Sequence, residues 1–280
     1  MSLALLGVAA AAICSGTANI LQASAARSEP VRAGLDTTLL VRLVRRPRYV
    51  LALGLVAAGF ALSFYALRTL PLFVVQAGRA SALAVTAVLA VLVLRARLSR
   101  VEIGAVAAVV GGVVLVAAGA GTQRSVLVSL VTRFGLLVVV LTVAGVAAAA
   151  TRIQPAARAG LVLGALAGLS FAILALGARV LRGYAPQVLL ADPAAWAMGG
   201  AGILGLLLAA MALQRASVVG AIAPMVGVET AVGAVLGMVL CGDRSAQGGA
   251  AVSIFGFVLV LAGALSLTRF AAPERAPATK

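Results

Sequence analysis

Nine long apolar runs follow one another along the chain, and none alternates apolar and polar residues with the period of two that a half-buried strand requires. Each run is close to the roughly 20 residues that an α-helix needs to cross a bilayer. The runs are residues 3–26, 49–67, 70–94, 101–121, 126–150, 159–181, 194–213, 217–240 and 249–267. The pattern predicts an all-α polytopic membrane protein with about nine transmembrane helices. Arg133 interrupts the fifth run, whose apolar core could instead begin at Phe134.

Composition places these runs in a membrane rather than in a soluble core. Apolar residues make up 63% of the 280 residues and charged residues only 10%, whereas soluble domains carry about 25% charged residues. A chain this apolar could not cover its surface with polar groups, which excludes a water-soluble enzyme. Disorder is also excluded, because it requires low hydrophobicity and high charge.

The charges lie mostly at the ends of the runs and predict the orientation of the chain. The formal net charge is +15, from 22 basic and 7 acidic residues. A soluble protein this basic would suggest a nucleic-acid partner. Here the segment 27–48 holds six arginines, which favours the cytoplasmic side of a membrane. Nine spans threaded from there put the N-terminus outside and the C-terminus inside a bacterial cytoplasmic membrane, and we expect no nucleic-acid partner.

Groups that commonly carry catalysis or bind metals are scarce. The chain has no histidine, which is the usual proton shuttle at neutral pH and the commonest metal ligand. Cys14 lies midway along the first run and Cys241 at the end of the eighth, so we expect two inert free thiols. We also expect no metal site, no cofactor and no enzymatic activity.

Two stretches of the chain resemble each other. Residues 112–120 and 256–264 are identical at seven of nine positions, at an offset of 144. Weaker matches pair 93–99 with 239–245 and 66–68 with 212–214, in the same order. In the threaded topology the two copies cross the membrane in opposite directions, and inverted repeats of this kind are characteristic of secondary transporters.

The turns and helix ends of these copies resemble those of the drug/metabolite transporter (DMT) superfamily, in its EamA-like group. The resembling features are a hairpin after ALR at 66–68, turns with RLS at 97–99 and DRS at 243–245, and a glycine-rich last helix in each repeat. That group normally has GER at the turn, which GDR at 242–244 approaches and RAR at 95–97 does not. The resemblance covers about residues 49–267 and implies an inverted-repeat bundle, usually of ten spans in two five-helix halves.

The first half of this chain departs from that family. The basic segment 27–48 stands where the second helix of the first half would lie. This departure resembles the NIPA-like magnesium-transporter branch, for which nine spans are also expected. The resemblance implies a single membrane domain over 1–280. Repeat one covers 1–121 with four helices, repeat two covers 126–268 with five, and 269–280 forms a short cytoplasmic tail.

Glu229 is the acidic residue that lies deepest in a predicted span, near the middle of 217–240. A charge at that depth costs about 2.5–3.5 kcal/mol on insertion scales, so it marks a functional site or a structural pair. Pro224, five residues earlier, removes a helical hydrogen bond and predicts a kink. A kinked helix with a central carboxylate is typical of a substrate or proton site at the midplane of a transporter.

Arg79 lies near the middle of 70–94, in the repeat counterpart of the Glu229 helix. The two residues could form a mainly structural ion pair, could contact a substrate directly, or Arg79 could extend to the outer interface. Gln76 lies one helical turn away on the same face as Arg79. Asn19 and Gln22 share a face of the first helix, where their amides could bind a polar substrate or join helices.

Glycines spaced four residues apart predict close helix packing. Gly160, Gly164 and Gly168 form one such ridge, and Gly233 with Gly237 forms another. The ridges favour a compact bundle and offer a possible face for a homodimer.

These observations favour a secondary transporter that moves a small molecule or ion across the lipid bilayer by alternating access around Glu229 and Arg79. Transport of magnesium or another cation, as in the NIPA-like branch, is an alternative. Mg²⁺ usually binds one or two carboxylates and waters, whereas the expected neighbour of this single carboxylate is an arginine. A non-transporting scaffold or subunit is the second alternative.

Overall fold

The computed structural model describes residues 2–32, 34–67, 70, 74–75, 78, 81–82, 84–86, 88–89, 100–119, 128–183, 185–216, 218–243 and 248–270. We number its helices in chain order. They are α1 Ser2–Arg27, α2 Leu39–Val44, α3 Pro47–Ala66, α4 Arg100–Ala118, α5 Leu130–Ala150, α6 Ala156–Val180, α7 Pro186–Ala191, α8 Pro193–Arg215, α9 Val218–Cys241 and α10 Ala250–Phe270. At the separate described positions between 74 and 89, the backbone is helical except at Ser81.

Six helices among the described residues are long and apolar enough to cross a bilayer. They are Ala4–Arg27, Pro47–Ala66, Leu130–Ala150, Ala156–Val180, Pro193–Arg215 and Gly220–Cys241. Each corresponds to a predicted run with its ends shifted by a few residues. Ala250–Gly263 is a shorter apolar helix, and much of the predicted run 70–94 and most of the tail 269–280 lie outside the described residues. The chain is therefore an α-helical polytopic membrane protein.

Side chains just before two helices fix where they begin. Asp192 caps α8 by accepting a hydrogen bond from the backbone N–H of Ala194 at 3.0 Å. The Ser129 hydroxyl caps α5 by accepting from the N–H of Thr132 at 3.2 Å. Such caps satisfy N–H groups that the first turn of a helix leaves without a partner. The fifth span consequently begins at Leu130, between the two starts predicted from the sequence.

Two ends of the bundle are defined by the helix ends that meet there. At the first, which we call the Arg179 end, Arg179 joins the C-terminal ends of α3, α6 and α9. At the second, the Glu29 end, Glu29 follows α1, contacts Arg46 at the start of α3 and is bonded by Gln214 at the end of α8. Thus α3 and α8 cross the bundle in opposite directions, α3 toward the Arg179 end and α8 away from it.

α1 packs along α3 in the antiparallel direction. A Cβ at Gly7 would lie 3.6 Å from the carbonyl oxygen of Leu62, and one at Gly59 would lie 3.3 Å from that of Ala11. The extensive contact between the two helices therefore places the start of α1 at the Arg179 end.

The described positions between 74 and 89 pack along α1 in the same direction as α1. Gly78 lies against Val8, and a Cβ at Gly16 would lie 2.7 Å from the Cβ of Val85. Higher residue numbers on α1 thus meet higher numbers in this part of the chain, which is the signature of a parallel contact.

The glycine ridge predicted on α6 is a packing surface within the molecule. Gly164 lies against the carbonyl of Ala221 and Gly168 against that of Met225, and Gly160 makes a similar contact one turn earlier. α6 and α9 therefore run in the same direction with their backbones in contact. The end of α8 and the first half of α9 therefore cover this ridge within the chain, and a homodimer stays a prediction.

α9 continues through Pro224 without a break, and the kink expected there stays a prediction. Gly233 and Gly237, which form the second predicted ridge, are buried in the second half of this helix. The second half of α9 therefore has one face covered by protein, while Val235, Met238 and Val239 are exposed on another.

α4 and α10 pack against each other through the two copies of the sequence repeat. A Cβ at Gly112 would lie 2.5 Å from the carbonyl oxygen of Gly256, and one at Gly256 would lie 2.6 Å from that of Gly112. Gly119 meets Gly249 in the same antiparallel interface. Gly249 closely follows Asp243 of the Arg179 end, so the 19-residue α4, about 28 Å long at 1.5 Å per residue, begins at the Glu29 end.

The basic segment 27–48 folds over the Glu29 end of the bundle. Leu39 and Leu43 of α2 are fully buried. Arg42 forms salt bridges of 3.2 Å to Glu29 and 2.6 Å to Asp36. Apolar burial and internal charge pairing therefore order this segment, in addition to any role of its arginines in membrane orientation.

Candidate functional site

A small cavity of about 50 Å³ lies among α1, α3, α6, α8, α9 and Ala82. Its polar wall consists of Ser15, Asn19, Gln22 and Glu229. Its apolar wall consists of Val56, Ala82, Phe171, Leu206, Ala209, Met225 and Val226. Since one water needs about 10–15 Å³ of such space, the cavity has room for a few water molecules or a small chemical group.

Glu229 lies near the middle of the 24-residue α9, and only 4% of its surface is exposed. The close packing of α9 on the glycine ridge of α6 holds it there. In surroundings of low dielectric constant, a carboxylate interacts far more strongly with a proton or a cation than it does in water. Among the described groups of the cavity wall, Glu229 is therefore the one best suited to bind a proton or a cation.

Asn19 and Gln22 reach the cavity from the second half of α1. The Asn19 amide donates a hydrogen bond to the Thr86 hydroxyl at 3.3 Å, and Thr86 in turn donates to the carbonyl of Ala82 at 2.8 Å. Asn19 thus joins two helical segments, as the interhelical interpretation of its amide predicted. The structure brings Asn19, Gln22 and Glu229 around one cavity, and their role in binding stays a prediction.

Arg79 and Gln76 lie outside the described residues. The expected pairing of Arg79 with Glu229 therefore stays a prediction. Ala82, three residues after Arg79, does line the cavity, so the part of the chain that carries both residues borders the site.

Sequence reasoning missed two buried ion pairs near the Arg179 end. Arg179 donates to Asp243 at 2.7 Å and Arg133 donates to Asp192 at 2.9 Å, and all four side chains are almost fully buried. A signal for them existed, because both arginines interrupt apolar runs and both aspartates lie at span ends on the same predicted side of the membrane. Two cations and two anions at one face favour pairing.

The Arg133–Asp192 pair ties α5 to the start of α8. Arg133 also donates from Nε to the carbonyl of Val128 at 3.2 Å. Asp192 also accepts the backbone N–H of Arg182 at 3.3 Å and that of Ala194 at 3.0 Å. These contacts lie away from the described cavity wall and join the start of α5 to the start of α8.

No group of three or more histidine, cysteine or acidic side chains within the described residues is arranged to hold a metal ion. Cys14 and Cys241 are free thiols. The described part of the cavity wall therefore offers the chemistry of one carboxylate, two amides and a hydroxyl.

Comparison with known proteins yielded no matching family model, no similar curated protein and no similar solved structure. The fold and the site together define an α-helical polytopic membrane protein with a small, partly polar cavity among its helices.

Proposed function

We propose that the protein is a secondary transporter that moves a small solute across the bacterial cytoplasmic membrane by alternating access around the Glu229 cavity. The observation that carries this proposal is the convergence of a carboxylate and two amides, from Asn19 and Gln22, on one cavity inside the bundle. A buried carboxylate at membrane depth is costly and typically marks a substrate or ion pathway. A scaffold needs neither the charge nor the cavity.

Nine spans are supported by the ends at which the described helices begin and finish. Leu70 lies at the Arg179 end, where Arg179 bonds its carbonyl, and α4 begins at the Glu29 end. A further crossing between Leu70 and Arg100 would join these two ends. Together with the eight long described helices, α4 and α10 included, it would give the nine crossings that we propose. The arginines of 27–48 favour a cytoplasmic Glu29 end, with the N-terminus outside.

An inverted repeat is supported by corresponding contacts in the two halves of the chain. α1 is antiparallel to α3 and parallel to the described positions between 74 and 89, just as α6 is antiparallel to α8 and parallel to α9. Gly112 and Gly256, which are equivalent in the sequence repeat, meet each other, as residues beside a two-fold axis do.

We accordingly propose two four-helix repeats joined by α5. This differs from the sequence-based assignment of α5 to a five-helix second repeat, since α6 rather than α5 makes the contacts that α1 makes. An inverted-repeat bundle of this kind agrees with the proposed resemblance to the drug/metabolite transporter superfamily.

A small organic solute with a polar or cationic group fits the cavity better than magnesium. Glu229 is the single carboxylate in the described wall, whereas Mg²⁺ typically keeps several waters and binds one or two carboxylates. Phe171, Met225 and other apolar residues form most of the remaining wall, which favours a partner with apolar surface.

Flux measurements in proteoliposomes test the proposal. Vesicles loaded with a pH-sensitive dye are exposed to a panel of small metabolites and organic cations, and vesicles loaded with a magnesium-sensitive dye are exposed to Mg²⁺. We expect at least one organic solute to accumulate in the vesicles or to move together with protons. Glu229→Gln should abolish this movement without unfolding the protein.

Thr142→Val is the matched control. Thr142 lies exposed on α5, where its hydroxyl donates to the carbonyl of Val138 at 2.9 Å, so this variant should transport like the parent. Equal flux in Glu229→Gln, or no flux of any probe in well-folded parent protein, contradicts the proposal. Flux of Mg²⁺ alone would favour the cation alternative.

A further inference from the structure

Arg179, in the last turn of α6, joins three helix ends. Its Nη2 donates to Oδ1 of Asp243, just after α9, at 2.7 Å. Its Nη1 donates to the carbonyl oxygens of Leu67 and Leu70 beyond α3, the second at 3.0 Å. The Arg179 and Asp243 side chains have no exposed surface, so these contacts lie inside a closed end of the bundle.

These contacts are suited to repeated breaking and forming. The carbonyls of Leu67 and Leu70 lie just beyond the C-terminus of α3, near the negative end of its dipole, which attracts a guanidinium. A buried ion pair adds little stability over well-packed apolar residues of the same shape, because its desolvation is costly. Once the end opens, water can form hydrogen bonds with all of these groups, whereas opening an apolar contact would expose apolar surface to water.

The same helices connect this end with the cavity. Glu229 precedes the last residue of α9 by 12 positions, which is about 18 Å along the axis at 1.5 Å per residue. α6 carries Arg179 and also contributes Phe171 to the cavity wall. Because α6 and α9 are packed backbone to backbone, α3 is the element that can separate from them.

The opposite end is also held by side-chain to main-chain hydrogen bonds. Gln214 donates to the carbonyl of Glu29 at 3.3 Å, and Arg215 donates to that of Arg32 at 3.0 Å. These bonds join the end of α8 to the segment after α1, in a more exposed setting than Arg179. Both ends are therefore joined across the two halves of the chain, with the cavity between them.

We infer that the Arg179–Asp243 pair, together with the carbonyls of Leu67 and Leu70, is a latch that closes the Arg179 end over the Glu229 cavity and opens when α3 separates from α6 and α9. The purpose of the latch rests on the proposed transport function. Its state, however, determines whether the cavity can be reached from the Arg179 side, which is measured without any substrate.

Cysteine labelling tests the latch. Cys14→Ser and Cys241→Ser remove the native thiols, and Ser15→Cys places one thiol on the cavity wall. A membrane-impermeant maleimide is added separately to each face of vesicles that hold the protein in one orientation. Asp243→Asn should raise the labelling rate from the Arg179 side about tenfold or more, because it leaves a buried arginine without its counter-charge.

Two further variants control for general loosening of the bundle. Asp192→Asn breaks the neighbouring pair with Arg133, at the same end but away from the cavity wall, and should destabilise the protein without faster labelling. Asp243→Glu keeps a carboxylate for Arg179, so its labelling rate should stay within about twofold of the parent rate.

Labelling of folded Asp243→Asn at the parent rate overturns the latch. If that variant does not fold, Arg179→Lys replaces it, since a single ammonium cannot reach all three acceptors; unchanged labelling of Arg179→Lys would then overturn the inference. Faster labelling without any solute flux would support the latch and reject transport. Normal, Glu229-dependent flux with unchanged labelling would support transport and reject the latch.

Discussion

Gly112 of α4 and Gly256 of α10 bring their backbones into direct contact, and neither leaves room for a Cβ on the other. Membrane helices have no hydrophobic driving force toward each other, so they gain affinity from close packing of small residues. Here the two glycines are also equivalent positions of the sequence repeat. The α4–α10 interface therefore depends on the absence of two methyl groups.

We expect Gly112→Ala to destabilise the protein. The new Cβ would lie 2.5 Å from the carbonyl oxygen of Gly256 and 2.8 Å from the backbone nitrogen of Val260, so the helices must move apart, at a cost of about 1–3 kcal/mol for overpacking. The melting temperature of the purified protein in detergent measures this loss.

Gly111→Ala is the matched control, because a Cβ at Gly111 meets nothing within 4 Å. Alanine is the better helix former by up to about 1 kcal/mol, so this variant should melt at or above the parent temperature. Equal melting temperatures for Gly112→Ala and Gly111→Ala would contradict the proposed close contact.

A second prediction concerns the space beside Glu229. Ala209→Val adds two methyl groups to the wall of a cavity of about 50 Å³. We expect it to abolish solute flux, because it occupies the volume that a substrate needs, and to raise stability by about 0.5–2 kcal/mol, as cavity filling commonly does.

Ala149→Val on the exposed face of α5 is the control for the lower helix propensity of valine. It should change neither flux nor melting temperature appreciably. Full flux in Ala209→Val with an unchanged KM would show that substrates do not occupy this cavity.

The sequence predicted those parts of the fold that depend on local properties of the chain. The length and apolarity of a run suffice to predict that it crosses a membrane, and six spans were found within a few residues of their predicted bounds. The depth of Glu229 in its span and the spacing of Asn19 and Gln22 also followed from the sequence, and all three residues line one cavity.

Contacts between distant segments could not be predicted from local properties of the sequence. Gly164 and Gly168 predicted a close approach, but a ridge of small residues does not specify its partner, which in the structure is α9. The ion pair of Arg179 with Asp243 requires knowledge of which helix ends meet. Single arginines in apolar runs indicate that a partner exists without naming it.

The charged cluster at the Glu29 end predicts sensitivity to acid. The hydrogen bond from Arg46 lowers the pKa of Glu29 from its ordinary value of 4.5, and the bond from Arg42 lowers the pKa of Asp36 from 3.8. The folded state therefore binds protons less readily than the unfolded state. The stabilisation is complete above these ordinary values and is lost as the pH falls through the lowered ones.

We accordingly expect the melting temperature to be level from pH 7 to about pH 5 and to fall below about pH 4. Arg42→Gln removes a partner of both carboxylates. It should therefore lower the melting temperature between pH 7 and about pH 5 and reduce the decrease of that temperature below about pH 4. Arg45→Gln, at an exposed neighbouring position, is the control and should follow the parent. Identical pH profiles for Arg42→Gln and the parent would refute a stabilising role for the cluster.

The buried Arg133–Asp192 pair near the Arg179 end offers a test of charge pairing there. Asp192→Asn keeps a side-chain oxygen to cap α8 but leaves the Arg133 guanidinium buried without its counter-charge, which should cost about 3–5 kcal/mol. Arg133→Met leaves Asp192 with hydrogen bonds from the backbone N–H groups of Arg182 and Ala194. Arg133→Met should therefore lose less stability than Asp192→Asn.

The double variant Arg133→Met/Asp192→Asn should be more stable than Asp192→Asn alone, because no buried charge remains without a partner. Trp196, the only tryptophan, lies in the first turn of α8 and donates to the carbonyl of Leu190 at 2.9 Å, so its fluorescence reports unfolding beside the pair. Arg158→Met, at an exposed position on α6, controls for the loss of one arginine. Residues in direct contact typically show a coupling energy of about 0.5–3 kcal/mol. Strictly additive losses of stability in the double variant would show that the two charges do not stabilise each other.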